Sequence, residues 1–115
     1  MEQCIFCQIA AGKIATEFIY EDEQLVAFKD INPRALVHIL IIPKKHLASL
    51  AEITVDDIPL LGQMQYLAKQ LAEQHGIAGS GYRLLTNCRA DSGQEVDHLH
   101  YHLVGGEPLG LYLQE

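Results

Sequence analysis

"DHLHYHLVGG", residues 97–106, sets His98, His100 and His102 on alternate positions with Leu99, Tyr101 and Leu103 between them. Alternation is the period of a β-strand. The three rings therefore share one face at intervals of about 6.6 Å, and the three apolar side chains share the other. The apolar face belongs against a core, the histidine face where a ligand can reach it. A single histidine on a strand is most often a solvated surface residue. Three in register, half of the six in the chain, point instead to a site. Metal binding is the competing use of the row, since His-x-His presents two ring nitrogens to one ion. The outer pair, about 13 Å apart at Cα, does not readily share one.

Upstream, "YRLLTN" reads as a strand, and "CRADSGQE" is polar enough to be the loop that joins it to a last strand over about 96–104. "VHILII", residues 37–42, is short, apolar and β-branched and stops at Pro43, which favours a buried strand. After Thr54, a plausible N-cap with Asp57 three residues on, the positions Ile58, Leu61, Met64, Tyr66 or Leu67, and Leu71 mark an amphipathic helix that ends at Gly76. "ATEFIYEDEQLVAFKDI" gives strand, acidic turn and strand, and "CIFCQIAAG" a short helix with Ile5, Phe6 and Ile9 on one face. The order αββ, β, α, ββ predicts an α+β fold, not a doubly wound sheet.

With 115 residues, 49% of them hydrophobic, the chain suits one domain over 1–115. A net charge of −7 sets its field against nucleic acid and anionic lipid. A small phosphorylated ligand is still allowed if a local cluster of donors holds it. No eighteen-residue apolar run and no secretory leader are visible, and three cysteines are an odd number for a disulfide framework, so a cytoplasmic location is expected.

Cys4 and Cys7 have half the spacing of a zinc site. Two buried small residues or a redox pair would have the same spacing. If zinc takes both thiolates, the other ligands come from His38, His46, His75 or the histidine row. His75, just before Gly76, suits a helix C-terminus, and His46 is the better ligand.

"HLHYHL" fits the pattern His-φ-His-φ-His-φ, with φ apolar. Together with "CIFCQIAAGKI", "VAFKDINPRALVHILIIPKKH" and "GYRLLTN…SGQEVDHLHYHLVGG" in the same order, it resembles the histidine triad (HIT) family over nearly the whole chain. "LVGG" after the triad, where dinucleoside polyphosphate hydrolases tend to carry Pro-Arg, resembles the Hint branch of purine nucleoside phosphoramidases. The resemblance implies a five-stranded antiparallel sheet with one short and one long helix, dimerising through the long helix and a strand into a continuous ten-stranded sheet. Its zinc-containing members imply a structural ion on Cys4, Cys7, His46 and His98, with no catalytic metal.

The same resemblance makes His100 the nucleophile on an α-phosphate, with His102 bonding a phosphate oxygen or passing a proton and His38 orienting the relay. The amide of Asn87, the side chain of Gln94 and backbone N–H groups near Gly93 are expected to hold the phosphate. Ile5, Phe6, Ile9, Phe28 and Ile31 are placed around a purine and Asp30 on the ribose. Glu95 stands where many Hint proteins have serine, Asp97 where an aromatic residue is usual, and the tail "GEPLGLYLQE" falls where leaving-group choice is shaped. The expected activity releases a nucleoside monophosphate from a phosphoramidate through a nucleotidyl-histidine. Dinucleoside polyphosphate cleavage, or a zinc-stabilised nucleotide-binding protein with little turnover, is the alternative.

Overall fold

Residues 3–111 are described by the structure, a computed structural model. The elements run α1 (Ile5–Ala10), β1 (Phe18–Glu21), β2 (Leu25–Lys29), β3 (Val37–Pro43), α2 (Ile58–Gln74), β4 (Tyr82–Leu85) and β5 (Tyr101–Gly105). All strands join one antiparallel sheet in the order β1-β2-β3-β5-β4. This is the α+β order read from the sequence. Residues 112–115 of the tail lie outside the described residues. No described helix is long and apolar enough to cross a membrane.

Both faces of the sheet are apolar, but they cover different elements. Leu25, Ala27, Ile39, Ile41, Tyr101 and Leu103 meet Met64, Leu67 and Leu71 of α2. On the other face Val26, Phe28, Leu40 and Ile42 meet Phe6 and Ile9 of α1. Each large aliphatic or aromatic side chain buried this way stabilises the fold by about 1.5–3 kcal/mol. Cross-strand register places the histidines: His102 pairs with Leu40 and His38 with Val104, so both fall on the α1 face.

The long helix buries the expected Met64, Leu67 and Leu71 but begins its buried face at Leu60 in place of Ile58, and of the alternatives Tyr66 and Leu67 it buries Leu67. Its buried face is Leu60, Met64, Leu67 and Leu71, whereas Ile58 and Tyr66 are each 60% exposed. A 3-10 turn, Val55–Asp57, occupies the residues before it, and Asp57 closes a capping box on the Thr54 N–H at 2.9 Å. Ile58 then lies about 200° around the axis from Leu60, which carries it to solvent.

The last strand starts later than expected, at Tyr101 and not near Val96. The backbone groups that would extend the ladder are taken by other partners. The Pro43 carbonyl accepts from His98 Nε2 (2.8 Å), the His98 carbonyl from His100 Nδ1 (2.7 Å), and the His100 carbonyl from the Thr86 hydroxyl (2.6 Å). Leu99 N–H turns to the Leu47 carbonyl at 2.6 Å. Alternation nevertheless persists through the irregular stretch: Leu99 joins the α2 cluster, and His100 packs against Phe6 of α1.

Candidate active site and metal centre

On the α1 face, a cavity of about 640 Å³ opens between the loop after β2, the loop before β5 and the histidine row. Asp30, His38, Asn87, Gly93, His100 and His102 line it, with Asn32, Arg34, Ser92 and Glu95 at its edges. A larger recess of about 940 Å³, between α2 and the β1–β2 turn, contains no histidine.

The hydrogen bonds fix the proton positions. The Arg34 backbone N–H donates to His38 Nδ1 at 3.0 Å, so in the neutral ring the proton sits on Nε2. That Nε2–H faces His102 Nδ1 at 2.9 Å, which leaves the His102 proton on its own Nε2. His100 has the opposite arrangement: its Nδ1–H donates to the His98 carbonyl at 2.7 Å, and Nε2 keeps the lone pair. Neighbouring rings of the row, with centroids 5.0 Å apart, thus present one lone pair and one N–H donor.

Burial holds the His38 and His102 rings in the neutral form. His102 is pushed down to about 4, first by burial and then by the neighbouring His100 and His38. His38 is lowered by burial, against the opposing pull of Asp30, whose Oδ2 is 3.4 Å from Nε2. Asp30, His38 and His102 are close enough to hold a metal. However, the facing nitrogens of the two rings are joined in one N–H···N bond, so the trio has the geometry of a proton relay.

Four donor atoms gather next to this cavity. Cys4 Sγ lies 3.3 Å and Cys7 Sγ 3.5 Å from His98 Nδ1, and Cys7 Sγ lies 3.2 Å from His46 Nδ1. In a zinc tetrahedron, bonds of about 2.3 Å to sulfur and 2.05 Å to nitrogen put S···N at about 3.6 Å, so the gathering is already nearly of that size. The His98 tautomer fits as well. Its Nε2–H is committed to the Pro43 carbonyl at 2.8 Å, leaving Nδ1 bare toward the two sulfurs, as in metal-bound histidines with a carbonyl behind them. Burial lowers His98 and raises the Cys7 thiol, and an ion would reverse the latter by taking the thiolate. The donor set therefore fits a tetrahedral ion with no open position.

Several expected site residues stand elsewhere. Gln94 does not line the cavity. Its amide donates to the carbonyls of Ala48 and Val96 (2.7 and 2.9 Å) and accepts the Arg89 N–H (2.7 Å), so it pins the loop. The N–H groups of Gly93 and Gln94 are bonded to the carbonyls of Ala90 and Arg89, within their own turn. Phe6, Ile9 and Phe28 are core residues behind the row; the Phe6 ring meets His100 edge-on at 5.1 Å. Ile5 rims a separate recess with Cys4, His46 and Glu95, and Ile31 is 90% exposed. Glu95 lines both hollows and faces Arg34 across 4.0 Å, a solvated pair of little energetic weight.

Arg34, Thr86 and Ser92 were not singled out from the sequence. What makes Arg34 matter is a backbone N–H, which no residue type announces. Thr86 acts through its hydroxyl bond to the His100 carbonyl, across fourteen residues.

Comparison with known proteins agrees with this geometry. The sequence profile of the family described as scavenger mRNA decapping enzyme C-term binding matches residues 3–110. The purine nucleoside phosphoramidase of Escherichia coli (strain K12) is 43% identical over 109 residues, 95% of this chain and 92% of that protein. Protein HitA of Neisseria gonorrhoeae is 46% identical over 105 residues, 91% of this chain and 97% of its own length. Among solved structures, a HIT family hydrolase from Clostridium thermocellum superposes with a TM-score of 0.94 at 46% identity, covering 99% of both chains. One from Legionella pneumophila gives 0.91 at 45% identity, covering 92% of this chain and 95% of that one. With its histidine row, its sheet order and these relatives in agreement, the chain belongs to the histidine triad family and is a HIT-type hydrolase.

Proposed function

We propose that this hydrolase cleaves purine nucleoside phosphoramidates at the α-phosphorus through a covalent adduct on His100. The observation that carries the reading is the 2.7 Å bond from His100 Nδ1–H to the His98 carbonyl, which leaves Nε2 as a lone pair on a cavity-lining ring. Nε2 attacks phosphorus, the P–N bond breaks, and the leaving amine takes the proton of His102 Nε2–H. The positive charge formed on the His100 ring stays on its Nδ1–H, against the His98 carbonyl, and offsets the proton lost from the relay. In the second half water gives a proton back to His102 Nε2, its oxygen attacks phosphorus, and the N–P bond breaks to release the nucleoside monophosphate.

Asp30 takes the ribose hydroxyls; in support, it lines the cavity and its Oδ1 accepts the Asn32 N–H at 2.9 Å, which holds the carboxylate there. Asn87, which lines the same cavity, serves as a phosphate donor. Cys4, Cys7, His46 and His98 would hold zinc, which supplies structural cross-linking and no reacting group. A homodimer is supported by β4, which forms one edge of the sheet, and by the exposure of Tyr66 on α2 and Tyr82 on β4. The three cysteines form no disulfide, as suits a reducing cytoplasm.

Incubation with an adenosine phosphoramidate, adenosine 5′-phosphosulfate and diadenosine polyphosphates ranks the leaving groups. Acid-quenched mass spectra should show one nucleotidyl group on His100. His100→Ala should lose turnover and keep nucleotide binding. An adduct on another side chain, or undiminished hydrolysis by the variant, would overturn the assignment.

A further inference from the structure

The four metal donors come from three separate segments: Cys4 and Cys7 from α1 and its cap, His46 from the loop after β3, and His98 from the stretch before β5. The orientation of His100 rests on two of these segments. Its Nδ1–H is held by the carbonyl of His98, itself a donor residue, and its ring packs in a T-shaped pair with Phe6, which lies between Cys4 and Cys7. His98 is in turn fixed from β3 and the third segment: its ring Nε2–H by the carbonyl of Pro43 at the end of β3, and the main chain after it through Leu99 N–H to Leu47 O, next to His46. Without an ion, the sulfur and imidazole donors meet through contacts of 3.2–3.5 Å.

We infer that the Cys4–Cys7–His46–His98 centre is a positioning device for His100: an ion bound there locks the His98 carbonyl and the Phe6 ring, and these two lock the nucleophile's Nε2 in line with phosphorus. His98 and Phe6 are positioning residues acting through His100. The groups assigned to the nucleotide and the relay, Asp30, Asn87 and His38, stand on the β2–β3 loop, after β4 and on β3. None of them is a donor of the centre. Loss of the ion should therefore disturb the chemical step far more than binding, because a reacting atom displaced by about 1 Å can cost about a hundredfold. The inference rests on the reading of His100 as nucleophile.

The test compares zinc-loaded protein, the same protein after chelation, and Cys7→Ser, all at one fixed pH. Long-range ¹H–¹⁵N spectra of the His100 ring are the readout that needs no turnover. The loaded protein should show the Nδ1–H tautomer with slow solvent exchange; the metal-free forms should show mixed tautomers and fast exchange. With an adenosine phosphoramidate, kcat should fall at least about tenfold on chelation while KM stays within about twofold, and added Zn²⁺ should restore it. Identical ring spectra, or an unchanged kcat, would overturn the inference. Phe6→Leu keeps every donor, so it should retain stoichiometric zinc yet shift the His100 ring signals; zinc retained with the signals unmoved would remove Phe6 from the device. If no nucleotide is hydrolysed by any form while the ring signals still respond to zinc, the coupling stands and the catalytic reading falls.

Discussion

Three rings of one residue type have different roles because of what each ring's second nitrogen meets. His98 has a carbonyl behind it and thiols in front, His100 a carbonyl behind and the cavity in front, and His102 an imidazole behind. His102 carries the clearest pH dependence. Its pKa is pushed down to about 4 from 6.5 by burial, so below 6.5 the unfolded chain binds a proton that the folded one refuses. The stabilising effect of the neutral ring is therefore whole above pH 6.5 and is lost as pH falls toward 4. His102→Asn should flatten the urea-unfolding stability over that window relative to the parent; an unchanged slope would show that the ring is not held neutral. The same variant should lose about 10²–10⁴ in kcat for an amine leaving group, and much less for one that departs without a proton. The row itself was legible from its spacing. Its division of labour came only with the family resemblance; spacing alone could not give it, since the ring orientations depend on Arg34, Pro43 and Thr86, brought in from other segments.

At the level of elements, sequence periodicity located both α-helices and all five strands and missed where two of them begin. Both misses have the same cause: short local hydrogen-bonded turns use up backbone groups before regular structure starts, at 55–57 ahead of α2 and at 98–100 ahead of β5. The helix phase can be tested directly. Leu71→Ala empties a site that is 1% exposed and should cost about 2–5 kcal/mol, whereas Ile58→Ala, at 60% exposure, should stay within about 0.5 kcal/mol. Denaturant midpoints compare the two, and equal losses would refute the observed phase. "LVGG" served in the sequence only as a family mark. In the structure it closes β5, where Gly106 has φ +91° and a Cβ there would come within 3.1 Å of Leu36 Cβ. Gly106→Ala should therefore destabilise by about 1–3 kcal/mol.

Across the whole molecule, α2 on one face of the sheet and α1 on the other have unequal support. The α2 face is a wide apolar cluster that includes Leu25, Ile41, Met64, Leu71 and Leu103, while the α1 face rests on Phe6, Ile9 and four sheet residues, with the histidines beside them. A six-residue α1 is too short to hold itself as a helix, and Cys4 caps it only through its sulfur, 3.3 Å from the Cys7 N–H. A tetrahedral ion would tie this weak face to the loops at 46 and 98. An ion present at about a thousand times its dissociation constant adds about 4 kcal/mol, and for a domain of this size each kcal/mol moves Tm by about 4 °C. Chelation should therefore lower Tm by about 10–20 °C, Zn²⁺ should restore it, and Cys4→Ser should be indifferent to both treatments. The α2 core does not pass through the centre, so the metal-free protein should still unfold cooperatively above room temperature. A parent Tm that ignores the chelator, in protein purified without one and shown by metal analysis to lack zinc, would overturn the metal-tie reading of the α1 face.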